Sequence, residues 1–339
     1  MPDTDIHAAG LVDLPLVRRL AEKGTLLDCE LCYTGETVGP HGALLSSMLP
    51  QRSLHTLVGR VGRRPMLGQF RLKPNDHLAQ MVYIAPRLES CVADTAWLHL
   101  IDAMAAEAGR RGMHMLTGEV DEDSPLFITL RTAGFAVYAR QEIWERPAGM
   151  GLPKNVLTAP LAVETDDDTM DIQLLYSNIV PRLVQPIALP SRDSTGLVYR
   201  QHGRVKGYVA VSEGRCGTYL MPFLHPDIFS EAAAIIAGVL ERVDRGGQQP
   251  VYVCVRRYQD WLEEPLTMLG FTSGRQQALM VRHIAAGVRR VNLAPIKQTL
   301  EAIPSVATPP TTHLNAQAPL VWEFEQTGED YIAYGTSDY

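Results

Sequence analysis

The feature that most constrains this chain is a long-range repeat of its own grammar. Two stretches carry the same order of patterns: an apolar strand ended by a proline, a long amphipathic helix, a strand, a short helix closed by Gly-Phe, and a last strand. In the first, "MVYIAP" precedes a helix with Trp97, Leu100, Ile101, Met104 and Ala105 on one face. "MHMLTGEV", "SPLFITLRTAGF" and "AVYARQEIWE" complete the unit. In the second, "YLMPFLHP" leads to "SEAAAIIAGVLERVDRGG", then "PVYVCVRR", "DWLEEPLTMLGF" and "RQQALMVRHI". Pro86 and Pro226 end the strands, and Gly134-Phe135 and Gly270-Phe271 close the short helices.

Around these units the periodicity predicts more elements. Leu16, Leu20 and the Leu26–Leu27 pair read as one helical stripe, with Arg and Lys opposite. "SLHTLVGRVG", "RPMLGQFRLK" and "LAQMVYIAP" read as strands separated by Gly- and Pro-bearing breaks, and "GLVYRQHGRVKGYVAVSEGRCGTYLMPFLHP" as three more. "TMDIQLLYSNIVPRLVQPI" reads as a helical region interrupted at Pro181. The reading is α/β (α+β): an N-terminal domain over 1–147, a C-terminal domain over 155–285, each a mixed, mostly antiparallel sheet with flanking helices, and an extension over 286–339. The Pro/Thr/Ala-rich "SVATPPTTHLNAQAP" reads as a linker. The acidic, aromatic end either packs as an edge strand, here or on a second subunit of a homodimer, or stays a loose tail.

Composition narrows the function. A net charge of −7 and scattered arginine pairs without interleaved aromatics argue against a nucleic-acid partner. No apolar run is long enough to span a membrane, and "MPDTDIHAAGLVDL" lacks the marks of a signal peptide, so a cytoplasmic protein is expected. Five cysteines, an odd number, do not suggest a disulfide framework. Cys29 and Cys32 form one C-x-x-C with His41 the nearest further ligand type. This fits a helix end with two semi-buried thiols as well as a zinc or redox site, and no metal is expected.

These units resemble the GNAT acetyltransferase superfamily, as two tandem copies over roughly residues 5–285. The resemblance implies acyl transfer from acetyl-CoA to an amine, on a small molecule or a protein, by direct attack on the thioester. It implies that the pantetheine arm pairs with the backbone of Val82, Tyr83 and Ile84. The pyrophosphate would sit at the loop holding Ser90, Cys91, Val92, Ala93 and Asp94. The family's glycine positions there fall on Ser90, Val92 and Asp94, and the second loop, "HPDIFSEAAA", is also free of glycine. The family's phenolic acid is replaced by Leu130 and Leu266, with Tyr138 and Tyr258 the nearest phenols. Tyr138 is therefore a candidate acid. Glu119, in an acidic stretch with Asp121, Glu122 and Asp123, is the candidate base, and the first copy is the expected cofactor site. Arg256, Arg257 and Tyr258 replace that stretch in the second copy, opposing its charge. The alternative is a catalytically inactive tandem copy of the fold serving as a binding or scaffold protein.

Overall fold

A computed structural model describes residues 4–35, 54–73, 77–88, 95–154, 156–190, 194–243 and 248–284. The first half begins with β1 (Thr4–Ala8), α1 (Leu14–Leu20), β2 (Thr25–Leu26) and α2 (Cys29–Thr34). It continues through β3 (Leu54–Val61), β4 (Arg64–Lys73), β5 (Leu78–Ala85), α3 (Thr95–Arg110), β6 (Met115–Asp121), α4 (Pro125–Thr132) and β7 (Ala136–Arg146). The second half follows with β8 (Ala162–Val163), α5 (Thr169–Ile179), β9 (Thr195–Gln201), β10 (Arg204–Glu213) and β11 (Thr218–Leu224). Then come α6 (Ala232–Val243), β12 (Val251–Arg256), α7 (Glu263–Met268) and β13 (Gln276–His283).

Local chemistry sets the boundaries. Gly134 and Gly270 adopt φ of +86° and +85°, where an L side chain is strained. Each lets the next residue fold back: Phe135 N–H donates to Leu130 O and Phe271 N–H to Leu266 O, both at 3.0 Å. His202 and Gly203, both at positive φ, form the two-residue turn between β9 and β10. The stripe from Leu16 to Leu27 is not one helix. α1 stops at Leu20 and the chain straightens into β2, passing so close to β5 that a Cβ on Gly24 would lie 2.2 Å from the Tyr83 ring.

Each half contributes a mixed, mostly antiparallel set of strands, and the sets join in one sheet of order β1-β3-β4-β5-β6-β13-β7-β12-β11-β10-β9-β8, with β2 on β5. The join is an exchange. β13, from the end of the second half, lies between β6 and β7, while β7 lies between β13 and the second half's β12. A cross-strand row runs Asp121–Gln277–Gln141–Arg256, with the two glutamines opposite each other at its centre.

Packing follows the exchange. Met280 of β13 is buried in the first half's core against the α3 layer of Trp97, Leu100, Ile101 and Met104. Trp144 of β7 is buried in the second half's core with Leu220, Ile235, Ile236 and Val253. Burying side chains of this size contributes about 1.5–3 kcal/mol each. Each core therefore holds side chains from the other half. A fragment ending at residue 147 leaves β6 and β7 without β13 and removes Met280 from its core. We expect it to show no cooperative thermal transition by circular dichroism, whereas the whole chain melts in one. A fragment with its own sharp transition would contradict this account.

Candidate functional site

β5 and β6 run side by side for three residue pairs, Leu78↔Met115 to Gln80↔Thr117, and then part. The gap holds residues 25–27. Thr25 and Leu26 pair with Ile84 and Tyr83, Leu27 N–H donates to Val82 O at 2.9 Å, and Glu119 N–H donates to Leu27 O at 3.0 Å. Leu27 is 1% exposed and packs in the first core, while the Tyr83 hydroxyl donates to Leu20 O and Ala21 O at 2.9 and 2.8 Å. The backbone of Val82, Tyr83 and Ile84 is thus already engaged by this chain on the side where a pantetheine arm was expected. Ser90, Cys91, Val92, Ala93, Asp94 and His41 lie outside the described residues.

Beside this wedge lies a cavity of about 360 Å3. Glu22, Asp28, Glu119 and Asp121 line it, against Arg87 and Arg275. Glu119, 9% exposed, accepts from Cys29 N–H at 2.7 Å. Asp28 caps α2 by accepting from Leu31 N–H at 3.2 Å and pairs with Arg71 at 3.0 Å, and Asp121 pairs with Arg275 at 2.9 Å. The C-x-x-C is a helix start: Cys29 is buried and donates to Gln277 Oε1 at 2.8 Å, while Cys32 faces outward. Burial raises both thiols above their ordinary range, helped by Glu119 at Cys29 and Asp121 at Cys32, so neither is poised as a thiolate.

The two catalytic candidates stand apart. Tyr138 contacts His283 through its hydroxyl, and His283 pairs with Met115 at the opposite end of β6 from Asp121. Glu119 lies two residues from the Asp121 end, in the cavity wall. Leu130 and Leu266 are fully buried in the two cores. Asp28, Tyr33, Arg87 and Arg275 were not foreseen as site residues. The one signal for Asp28 was its place as a capping type directly before the C-x-x-C.

The second half repeats the arrangement with different atoms. β11 and β12 pair from Thr218↔Val251 to Leu220↔Val253 and then part. Here the buried amide of Gln259 lies against β11; assigned with its nitrogen at Pro222 O and its oxygen at Leu224 N–H, the orientation that satisfies both groups, it donates to the first and accepts from the second at 3.1 Å. In both halves the chain itself satisfies the strand edge at the parting.

Burial pushes the Asp28 carboxyl up to about 6, with Arg71 pulling it down and Glu119 and Glu30 raising it. Between pH 4 and 6 the unfolded chain gives up this proton while the folded chain keeps it, so the group's contribution to stability falls as pH rises through that window. The loss is on the order of 2–3 kcal/mol. D28N, which keeps a capping oxygen, should flatten this part of the pH profile in urea unfolding at pH 4.5 and 7. An unchanged profile would show that Asp28 titrates normally.

No protein-family model and no curated protein matches this sequence. Similarity appears at the level of solved structures. A GCN5-related N-acetyltransferase from Sphaerobacter thermophilus is similar with a TM-score of 0.53 and 12% identity, over 85% of this chain and 98% of that one. A tandem GNAT protein from the clavulanic acid biosynthesis pathway, determined without acetyl-CoA, gives 0.50 and 14%, over 84% and 99%. Likeness at these identities is likeness of fold. With the repeated strand–helix–strand units and the parting strands in each half, it shows that this chain is built on the tandem GNAT fold.

Proposed function

We propose that this chain uses the tandem GNAT fold to bind a cationic amine in the acidic first-half cavity, without presenting a CoA thioester to it. One observation carries the reading: residues 25–27 hold the Val82 and Glu119 backbone groups that would receive a pantetheine arm, and Leu27 anchors them in the core. Withdrawing that segment would break hydrogen bonds worth about 1 kcal/mol each. It would also empty a Leu-sized volume, at a cost of about 2–5 kcal/mol. What remains accessible is a pocket whose wall carries four carboxylates and two arginines, with Asp28 and Asp121 each already paired. The Glu119 carboxylate, partnered by one backbone N–H, is left as the anchor for an ammonium group.

A second reading is an acyl-CoA-dependent N-acyltransferase for a small-molecule or protein amine. The position of Glu119 favours it, since a carboxylate in that wall can take the ammonium proton through water. On this reading acetyl-CoA displaces residues 25–27, its amides replacing the Leu27 bonds, and the amine attacks the thioester directly. Both readings share the amine and differ in the thioester. Calorimetric titration with spermidine and with acetyl-CoA separates them. We expect heat from spermidine, weakened roughly 10- to 100-fold in E119Q by loss of a charge-assisted bond, and no heat from acetyl-CoA. Acetyl-CoA binding with acetylated spermidine as product would overturn the binding reading and establish the second.

A further inference from the structure

The amine reading leaves open what meets the ammonium besides Glu119. α2 offers a group of the right kind. Glu119 accepts from the N–H of Cys29, the first residue of that helix, and Tyr33 stands four residues on, on the same face. A helical side chain leans back toward the N-terminus, so the Tyr33 ring lies over the turn at which the carboxylate is held. Both residues are in the wall of the same cavity.

The second half fixes this ring. Tyr219 of β11 and Tyr252 of β12 are partners in the parallel register, so their side chains rise together from one face of the sheet. Tyr33 lies over the pair, with its ring centroid 6.3 Å from that of Tyr219 at an interplanar angle of 6°, and 4.4 Å from that of Tyr252 at 39°. Cys29, Ile143 and Cys254 complete the cluster, in which Tyr219 is fully buried. Protein rings therefore cover one side of Tyr33, and the cavity opens on the other. Burial, with Cys29, Cys32 and Asp121 nearby, holds the Tyr33 hydroxyl well above the ordinary phenol range, so the ring stays neutral. Tyr83, the other tyrosine in the wall, is not equivalent. Its hydroxyl is committed to Leu20 O and Ala21 O, and Gly24 already covers its ring.

The face of a neutral aromatic ring carries partial negative charge and attracts a cation without accepting a hydrogen bond from it. Given the amine reading, on which this rests, we propose that Tyr33 is a second binding residue of the site, its ring face receiving the alkylammonium that Glu119 anchors. A carboxylate alone serves any cation, whereas the ring adds an apolar surface that suits an ammonium carried on an aliphatic chain. The site is then a product of both halves, because Tyr219 and Tyr252 hold the ring in place.

Calorimetric titration of the whole chain with spermidine tests it. Y33L removes the ring while keeping an apolar side chain, and should weaken binding roughly 2- to 30-fold, the span expected of a cation–π contact. Y33F keeps the ring and should recover most of that loss. Absence of spermidine heat with wild type would overturn the amine reading, and this inference with it. Binding that is unchanged in Y33L, or that falls as far in Y33F as in Y33L, overturns the role of Tyr33 alone and leaves the amine reading standing. Should Y33L not fold, a ring-fluorinated phenylalanine in place of Tyr33 decides. It keeps the shape of the Y33F ring and weakens the negative charge of its face, so binding weaker than that of Y33F supports the assignment and equal binding overturns it.

Discussion

Everything else in this structure depends on the backbone ladder that β7 and β13 form at the centre of the sheet. Each strand leaves its own half and completes the sheet of the other, so the ladder is both the join between halves and the edge on which each core closes. The side chains confirm the dependence, since Met280 and Trp144 fill cores on the far side of the join. An edge strand left unpaired is a liability for any sheet, and here the exchange removes two of them at once. Met280 in turn meets the α3 layer, and Trp144 meets the Ile235 and Ile236 side of α6.

The same central strands carry the asymmetry between the halves. A buried polar chain crosses them, from Glu119 and Cys29 through Gln277 and Gln141 to Cys254. At one end the row finishes in Asp121 and at the other in Arg256. Two copies of one architecture thus meet with opposite charge at matched positions. The strand partings next to those charges are filled by the chain, by backbone in the first half and by the Gln259 amide in the second. The backbone groups at each parting thus find their partners within the chain.

Much of this fold was legible in the order of patterns. The Gly-Phe closures, the amphipathic stripe of α3 and the prolines after β5 and β11 are local signals, because helix ends and strand ends are decided by φ and by missing N–H groups within a few residues. Glu119 was legible as a carboxylate near the parting strands. The short run at Leu26–Leu27 was not. Two leucines six and seven residues after Leu20 continue a helical stripe, and only the close pass of Gly24 over Tyr83 turns them into a strand. Asp28 was hidden for the same reason, since its burial and its pairing with Arg71 follow from where that strand lands.

The sequence by itself determined the tandem grammar, the fold class and the opposite charges of "GEVDED" and "CVRRY", since these are carried by composition and spacing along the chain. Only the tertiary structure decided which strand lies beside which, what fills each parting and which buried charges pair. Strand order is set by the cores that Met280 and Trp144 enter, and a local pattern that says a segment is a strand is silent about its neighbour. The pairing of a buried charge is a property of everything packed around it, which is why Asp28 reads as a helix cap in the sequence and is also the buried partner of Arg71 in the fold.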